Sequence, residues 1–446
     1  MFPSPCLPQR AIVLEPSTCS SFMRTVLVDI GPMAHMSGNG PLRGAAGSHY
    51  DELVLPRGGG IVVNGDSIER IASSDELRDE FGPPSSHTQH TADTSVISVE
   101  GRAIIPGFVD AHTHLLWAGD RSREVTWRHE GKSYKEIAAM GGGIQHTVNS
   151  TRKASTDQLY QLGFERLRKS LRTGTTHVEA KSGYGLSTDE ELRLLKIAST
   201  LGKLEHVPTI DSTWLGAHDV PKGKTFDQYV EEILSDQLPR VIEQNIARSA
   251  DVFCEPGWFS LEQSEDILKA SRKGGLDLRM HIDEFEDGGG GGLAAELGVT
   301  TGDHAHYTSD DARALMEEKG VTTGFLPGTP YAMGSKWPNF NQVSNDGIVW
   351  SIASDFNPNC RTLSLPFLGS LLVQRCGVDP LVALGAATRN PARTTPHPTG
   401  KVHGQIVEGG IANFNILDSP HWESWCTQPS HTPIRSTCLN GKLIHH

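Results

Sequence analysis

The sequence predicts an α/β fold, a (β/α)₈ barrel of the TIM type with a small β-sandwich built from both chain ends. Three observations predict it. From Ala103 to about residue 390, apolar β-branched runs alternate with amphipathic helical patterns, the mark of parallel strands joined by crossover helices. Those units are numerous enough to close a barrel of ~250 residues, and a chain of 446 leaves room for a satellite. Short β-like pieces between Gly-, Pro- and Ser-rich breaks fill both ends. The implied division is 1–102 and 396–446 for the two parts of the satellite and 103–395 for the barrel, with disorder expected in parts of the first fifty residues.

Taken in order, Thr25-Val26-Leu27-Val28 and Gly60-Ile61-Val62-Val63 are the clearest β pieces before residue 100. The run from Ile104 to His114 comes next, an apolar strand ending in His112-Thr113-His114. Further strands are read over 175–181, 208–218, 250–255, 276–281, 299–304, 321–326 and 348–355. Between them, 156–172 reads as a helix with Thr156 as N-cap and Gly174 just past its end, and 188–201 as one that stops at Gly202. After Pro396 the strand-like 411–417 and an Asn440-Gly441-Lys442 turn return to β signals.

Composition narrows the function. With 40 Lys+Arg against 53 Asp+Glu the net charge is −13, which opposes non-specific nucleic-acid or anionic-membrane binding. An anionic small-molecule substrate would then need a local cationic pocket. Seven cysteines at 6, 19, 254, 360, 376, 426 and 438 show no CxxC spacing, which fits a reducing cytoplasm better than a disulfide framework. No secretion signal and no run of ~18 apolar residues is read, so no membrane span is expected. A homodimer is compatible with the sequence.

The glycine run 288–292 lacks the GK[ST] of a phosphate loop and reads as a flexible loop into a helix from Leu293. Gly141-Gly142-Gly143 reads as a lid or turn near a site rather than a dinucleotide fingerprint.

The chemistry gathers at strand ends. His112 and His114, two residues apart on a strand, project to the same side and form half of a metal site. The strand 276–281 ends in His281, and the run 348–355 ends in Asp355. Together they make a His₃Asp set with positions open for water and substrate, as a catalytic zinc or iron site requires. Glu284, three residues past His281, is placed to move a proton, and His304 to polarise a carbonyl or hold a hydroxide. Ordinary alternatives are a helix-start charge for Glu284 and a hydrogen-bonded strand-end histidine for His304. His306 forms a second HxH with His304 and is read as coincidental.

On these residues the chain resembles the imidazolonepropionases, amidohydrolase-superfamily enzymes of histidine degradation, over nearly all of 100–395. The matching text is PGFVDAHTHLLWAGDRSREV at 106–125, GKSYKEIAAMGGGIQHTVNSTR at 131–152, EAKSGYGL at 179–186, LGAH at 215–218, HIDEFEDGGG at 281–290, Asp303-His304, LPG at 326–328 and SDFNPN at 354–359. The resemblance implies the barrel and sandwich described above. It also implies hydrolysis of 4-imidazolone-5-propanoate to N-formimidoyl-L-glutamate by metal-activated hydroxide attack on the ring carbonyl. One zinc or iron ion per chain falls on His112, His114, His281 and Asp355, with Glu284, His304 and Asp355 as catalytic groups. Substrate contacts fall on Arg121, Tyr184, His218, Glu284 and Asn357, and on Asn359 and Cys360 through backbone or side chain.

Two departures stand out. Asn359-Cys360 replaces the glycine and small hydroxyl residue of many relatives, and the first hundred residues match any family pattern poorly. Arg121 also has a competing reading, as a salt-bridge partner of Asp120 or Glu124. The competing functions are a cyclic-amidine deaminase, a dinuclear cyclic amidase in which Lys181 becomes a bridging carbamate, and a metal-binding barrel without catalysis.

Overall fold

The computed structural model describes residues 24–44, 50–84, 94–132 and 134–446. Within 1–50, residues 1–23 and 45–49 lie outside the described residues, as does Cys19 together with Cys6. Eight parallel strands form one sheet in sequence order. They are β1 (Phe108–Asp110), β2 (Thr175–Lys181), β3 (Thr209–Ala217), β4 (Ser249–Cys254), β5 (Asp277–Ile282), β6 (Thr301–His304), β7 (Thr322–Phe325) and β8 (Trp350–Ile352). The residues just beyond β8 return to those just beyond β1. Asp355 N–H donates to the His112 carbonyl at 3.0 Å and His114 N–H to the Phe356 carbonyl at 2.9 Å. A parallel bridge between Thr113 and Phe356 completes this contact, so the two ends of the sheet meet where three of the proposed ligands lie.

Helices cover the outside because their apolar faces match it. Helix Thr156–Arg172 buries Leu159, Leu167 and Leu171 on one face. Its N-cap is Ser155 rather than Thr156: Ser155 accepts from Gln158 N–H while the Gln158 side chain accepts from Ser155 N–H. That reciprocal box satisfies two helix-end donors, worth about 1 kcal/mol, and makes Thr156 the first helical residue. Gly174 follows with φ 87°. Helix Thr188–Leu201 runs as read, with Gly202 past its end.

The satellite is two sheets packed face to face. One has the order Ser67–Ser73, Gly59–Asn64, Arg24–Ile30, Thr94–Ser98; the other runs Lys442–His445, Ile434–Leu439, Phe414–Leu417, Ile104–Pro106, Met33–Ala34, Val54–Leu55. Leu27, Ile61, Ile68, Phe414 and Ile416 fill the space between them. The apolar run read as one strand into His112 is therefore divided. Ile104–Pro106 pairs antiparallel with Phe414–Leu417 in the sandwich, and only Phe108–Asp110 belongs to the barrel. Gly107 is the crossing point, where a Cβ would lie 2.4 Å from the Thr176 side chain. Among the described residues no helix is long and apolar enough to cross a membrane.

Along β2 the alternating residues His177, Glu179 and Lys181 are all buried, and Glu179 and Lys181 meet polar groups of other strands inside the barrel. The barrel's core is thus charged as well as apolar, and Lys181 is paired there with Glu179 and Asp251. Arg279 donates to the carbonyls of Ala111 and Thr394, and Glu179 accepts from Thr113 N–H.

Candidate active site

The site lies beyond the C-terminal ends of the barrel strands, where loops can carry chemistry over a rigid frame. His112 Nδ1 lies 2.7 Å from Asp303 Oδ2, and His281 Nδ1 lies 3.1 Å from Asp251 Oδ1. A carboxylate can only accept, so each Nδ1 carries the proton and each Nε2 keeps its lone pair. Those lone pairs converge. His281 Nε2 stands 3.5 Å from His114 Nε2, and Asp355 Oδ1 lies 3.6 Å from His112 Nε2 and 3.5 Å from His114 Nε2. His112 Nε2 and Asp355 Oδ1 are buried with no hydrogen-bond partner.

Converging buried acceptors without donors repel one another and lose solvation, which a cation would relieve. Ligand atoms of His112, His114 and Asp355 lie within 4.8 Å of one another, as do those of His112, His281 and His304. The residues therefore fit a metal ion by donor chemistry and by their orphaned atoms, and His304 comes close enough to share the center. Burial holds the rings of His112, His114 and His304 below their ordinary pKa, His304 at about 3, so they are neutral, the form that ligates. Burial works to raise the Asp355 carboxyl, but the surrounding imidazoles and the Thr329 hydroxyl, which donates to Oδ2 at 2.7 Å, hold it below its ordinary range.

Glu284 Oε2 lies 3.5 Å from His304 Nε2. Burial pushes its pKa well up, and the charges of Asp355 and Glu255 push the same way. A carboxyl raised in this manner can hold or release a proton near neutrality. His304, Ala305 and Asp355 adopt φ of 69°, 46° and 47°, left-handed geometry that costs a non-glycine residue of order 1 kcal/mol and concentrates at functional sites. His114, Arg121, Tyr184, His218, His281, Glu284, His304, Asp355, Asn357, Asn359 and Cys360 all line one pocket, with His112 buried beneath it.

No protein-family model matches the chain. The imidazolonepropionase of Symbiobacterium thermophilum is 39% identical over 405 residues, covering 89% of this chain and 92% of that protein. That of Haloarcula marismortui is 37% identical, covering 81% and 84%. The chain belongs to the imidazolonepropionase family. Among solved structures, 5-methylcytosine deaminase from Klebsiella pneumoniae superposes with a TM-score of 0.66 at 17% identity, covering 94% of this chain and 98% of that one. A. niger ochratoxinase does so with 0.64 at 17% identity, covering 95% and 96%; both likenesses concern the fold.

In this imidazolonepropionase-family chain, the loops over the strand ends are each held by a buried carboxylate. Glu124 takes Arg121 in a two-pronged pair, Nε at 2.7 Å and Nη2 at 2.9 Å, and also accepts from Gly143 N–H. The Glu124 partnership foreseen as the competing reading is thus present, on a guanidinium that lines the pocket. The glycines 141–143 form a turn tied to it. Glu191 accepts the N–H groups of Gly183, Gly185 and Leu186, each at 2.7 Å, and so fixes the loop bearing Tyr184. His218 donates from Nδ1 to the Gly183 carbonyl and stacks on His114 with centroids 4.8 Å apart. The glycine run is not a free loop. Its helix starts at Gly290, and Asp283 accepts from Gly288, Gly290 and Gly291 N–H.

Three further placements refine the sequence reading. The Asn357 side chain is engaged in its own loop, donating to the Asp355 carbonyl and accepting from Asn359 and Cys360 N–H. Cys360 is buried with its thiol pushed up to about 12, and its Sγ lies 3.6 Å from the Ser354 carbonyl. Lys181 Nζ lies between Glu179 at 2.9 Å and Asp251 at 2.7 Å. Burial lowers its pKa, yet the two carboxylates outweigh burial and raise it. A carbamate requires a neutral amine, so this ammonium does not suit the bridging role of the dinuclear alternative.

Sequence reasoning missed Asp251 and Asp303, the carboxylates that orient His281 and His112. The signal was available, because an aspartate inside the apolar run 250–255 must find a partner when the strand is buried. His306, half-buried and stacked on Tyr307, belongs to none of the metal-capable groups among the described residues.

Proposed function

We propose that this chain hydrolyzes 4-imidazolone-5-propanoate with water to N-formimidoyl-L-glutamate, with one zinc or iron ion held by His112, His114, His281 and Asp355. The observation that carries the reading is the convergence of partnerless lone pairs on one point of a pocket that also holds a raised carboxyl and a cation. Bound there, zinc or iron supplies Lewis acidity and lowers the pKa of water toward ~7.

The chain's own groups do the rest. Thr329 holds Oδ2 of Asp355, which leaves Oδ1 turned to the ligand nitrogens and able to accept a proton from water. The hydroxyl adds to the ring carbonyl carbon, the adjacent carbon–nitrogen bond breaks, and Glu284 delivers the proton that the departing nitrogen needs. His304, neutral and beside Glu284, donates to the carbonyl oxygen as charge builds there. Arg121, its plane fixed by Glu124, is the one Arg or Lys among the described residues lining the pocket and takes the propanoate. Tyr184 and His218 form an aromatic wall, ring centroids 5.1 Å apart.

A cytoplasmic setting accompanies this reading, supported by the free cysteines at 254, 360, 376, 426 and 438. Purified protein supplied with Zn²⁺ or Fe²⁺ should remove imidazolonepropionate absorbance with formation of N-formimidoylglutamate. Metal-loaded protein that leaves the absorbance unchanged while hydrolyzing another cyclic amide would overturn the substrate assignment.

A further inference from the structure

The loop that carries Glu284 is not held by its own residues alone. Glu255, just past the end of β4, is 2% exposed and reaches across to the loop that follows β5. Its Oε2 accepts Glu284 N–H at 2.9 Å, and its Oε1 accepts Phe285 N–H at 2.8 Å and Glu286 N–H at 3.2 Å. Three consecutive N–H groups on one carboxylate fix the backbone direction at Glu284, and hence where its side chain starts. On the far side, Asp283 has φ 49° and grips the glycine run and the Thr308 hydroxyl, which donates at 2.6 Å. The segment between the two carboxylates has little freedom left.

Burying a second carboxylate beside Glu284 is costly unless it is satisfied, and here the backbone supplies the donors. A plain loop brace could be any polar residue. A glutamate in this position offers two acceptor oxygens to three consecutive N–H groups and so clamps the segment that carries Glu284.

We propose that Glu255 is a positioning residue for the hydrolysis, acting solely through Glu284: it sets the side chain's place in the pocket without touching substrate or metal. The inference rests on the reading of Glu284 as the proton carrier. Glutamine at 255 keeps the shape but turns amide donors toward backbone donors and removes the charge. Aspartate keeps the charge and acceptors on a shorter arm.

The test is a double-mutant cycle on metal-loaded protein, with metal content and near-UV circular dichroism as checks of integrity. Glu255→Gln should lower kcat about tenfold or more, with KM within twofold and metal content unchanged. In the Glu284→Gln background the same substitution should change kcat less than twofold, because the group it positions is gone. An equal loss in both backgrounds, or a loss expressed in KM or metal content, overturns the role of Glu255 while leaving Glu284 in place. Wild-type turnover of Glu284→Gln overturns the proton-carrier reading and this inference with it. If Glu255→Gln does not fold, Glu255→Asp carries the same cycle, with a smaller loss in kcat that must likewise vanish in the Glu284→Gln background.

Discussion

Two buried histidine clusters occupy opposite ends of the barrel. At the C-terminal end, the imidazoles of His112 and His281 face carboxylates on one side and other ligand atoms on the other. At the opposite end, His177, His397 and His403 pack with ring centroids 4.6 to 6.0 Å apart. Burial lowers all three, and both ring nitrogens of His177 lack a partner. Yet among the described residues no carboxylate is hydrogen-bonded to these rings. His403 Nε2 meets backbone carbonyls, and His397 Nδ1 meets the Thr399 hydroxyl. None of the three belongs to a metal-capable group among the described residues. Burial and orphaned nitrogens alone therefore do not make a metal center. What the first cluster adds is a carboxylate behind two of its rings, Asp303 behind His112 and Asp251 behind His281, which fixes the tautomer and aims the lone pair.

The largest break in that comparison comes from the ligands. Asp355→Ala or His281→Ala should abolish turnover and bound metal together, read by elemental analysis beside the absorbance assay. Two tightly held metal ions per wild-type chain would contradict the single center.

Next in size is the orienting carboxylate. Asp251→Asn preserves shape but loses charge behind His281, and metal affinity should fall ~10- to 100-fold in chelator competition. Unchanged affinity would mean that the His281–Asp251 contact does not aim the ligand, and the contrast between the two clusters would lose its basis.

Arg121→Lys should weaken kcat/KM by about 1.5–3 kcal/mol with metal content unchanged, since lysine cannot reproduce a two-pronged pair. The discriminating comparison uses an analogue whose propanoate is a neutral amide. Equal acid-over-amide preference in wild type and variant would remove Arg121 as the anchor.

The smallest effect on turnover belongs to the opposite cluster. His403 has its pKa lowered by burial to about 4, so the unfolded chain binds its proton more readily than the folded one. Stability is complete above the ordinary histidine value near 6.5 and declines as pH falls from there toward about 4. His403→Gln should flatten that decline in denaturant unfolding while turnover at neutral pH stays within twofold. A slope unchanged by the substitution would place the acid sensitivity elsewhere.

What the sequence determined by itself is what short-range periodicity can encode. The strand and helix alternation placed the barrel, and the two-residue spacing put His112 and His114 on one side of a strand end. The strand-end position of His281 was legible for the same reason, because an apolar run followed by a polar turn marks where a parallel strand stops, whereas Asp355 lies past the end of its strand at Ile352, in left-handed geometry. Even the helix start was right to within one residue, since Ser155 and Thr156 offer the same hydroxyl chemistry. Only the tertiary structure decided who meets whom. His112 finds Asp303 across 191 positions and His281 finds Asp251 across 30, pairings set by strand register and by closure of the barrel. Gly324 shows how tightly that closure packs: a Cβ there would lie 2.1 Å from Asp303 Oδ1. The same holds for Lys181, legible as a strand-end amine but committed to Glu179 and Asp251 once neighboring strands come together. Periodicity fixes the direction in which a side chain leaves its strand, whereas its partner, and with it its charge state, depends on atoms that the chain brings near only when folded.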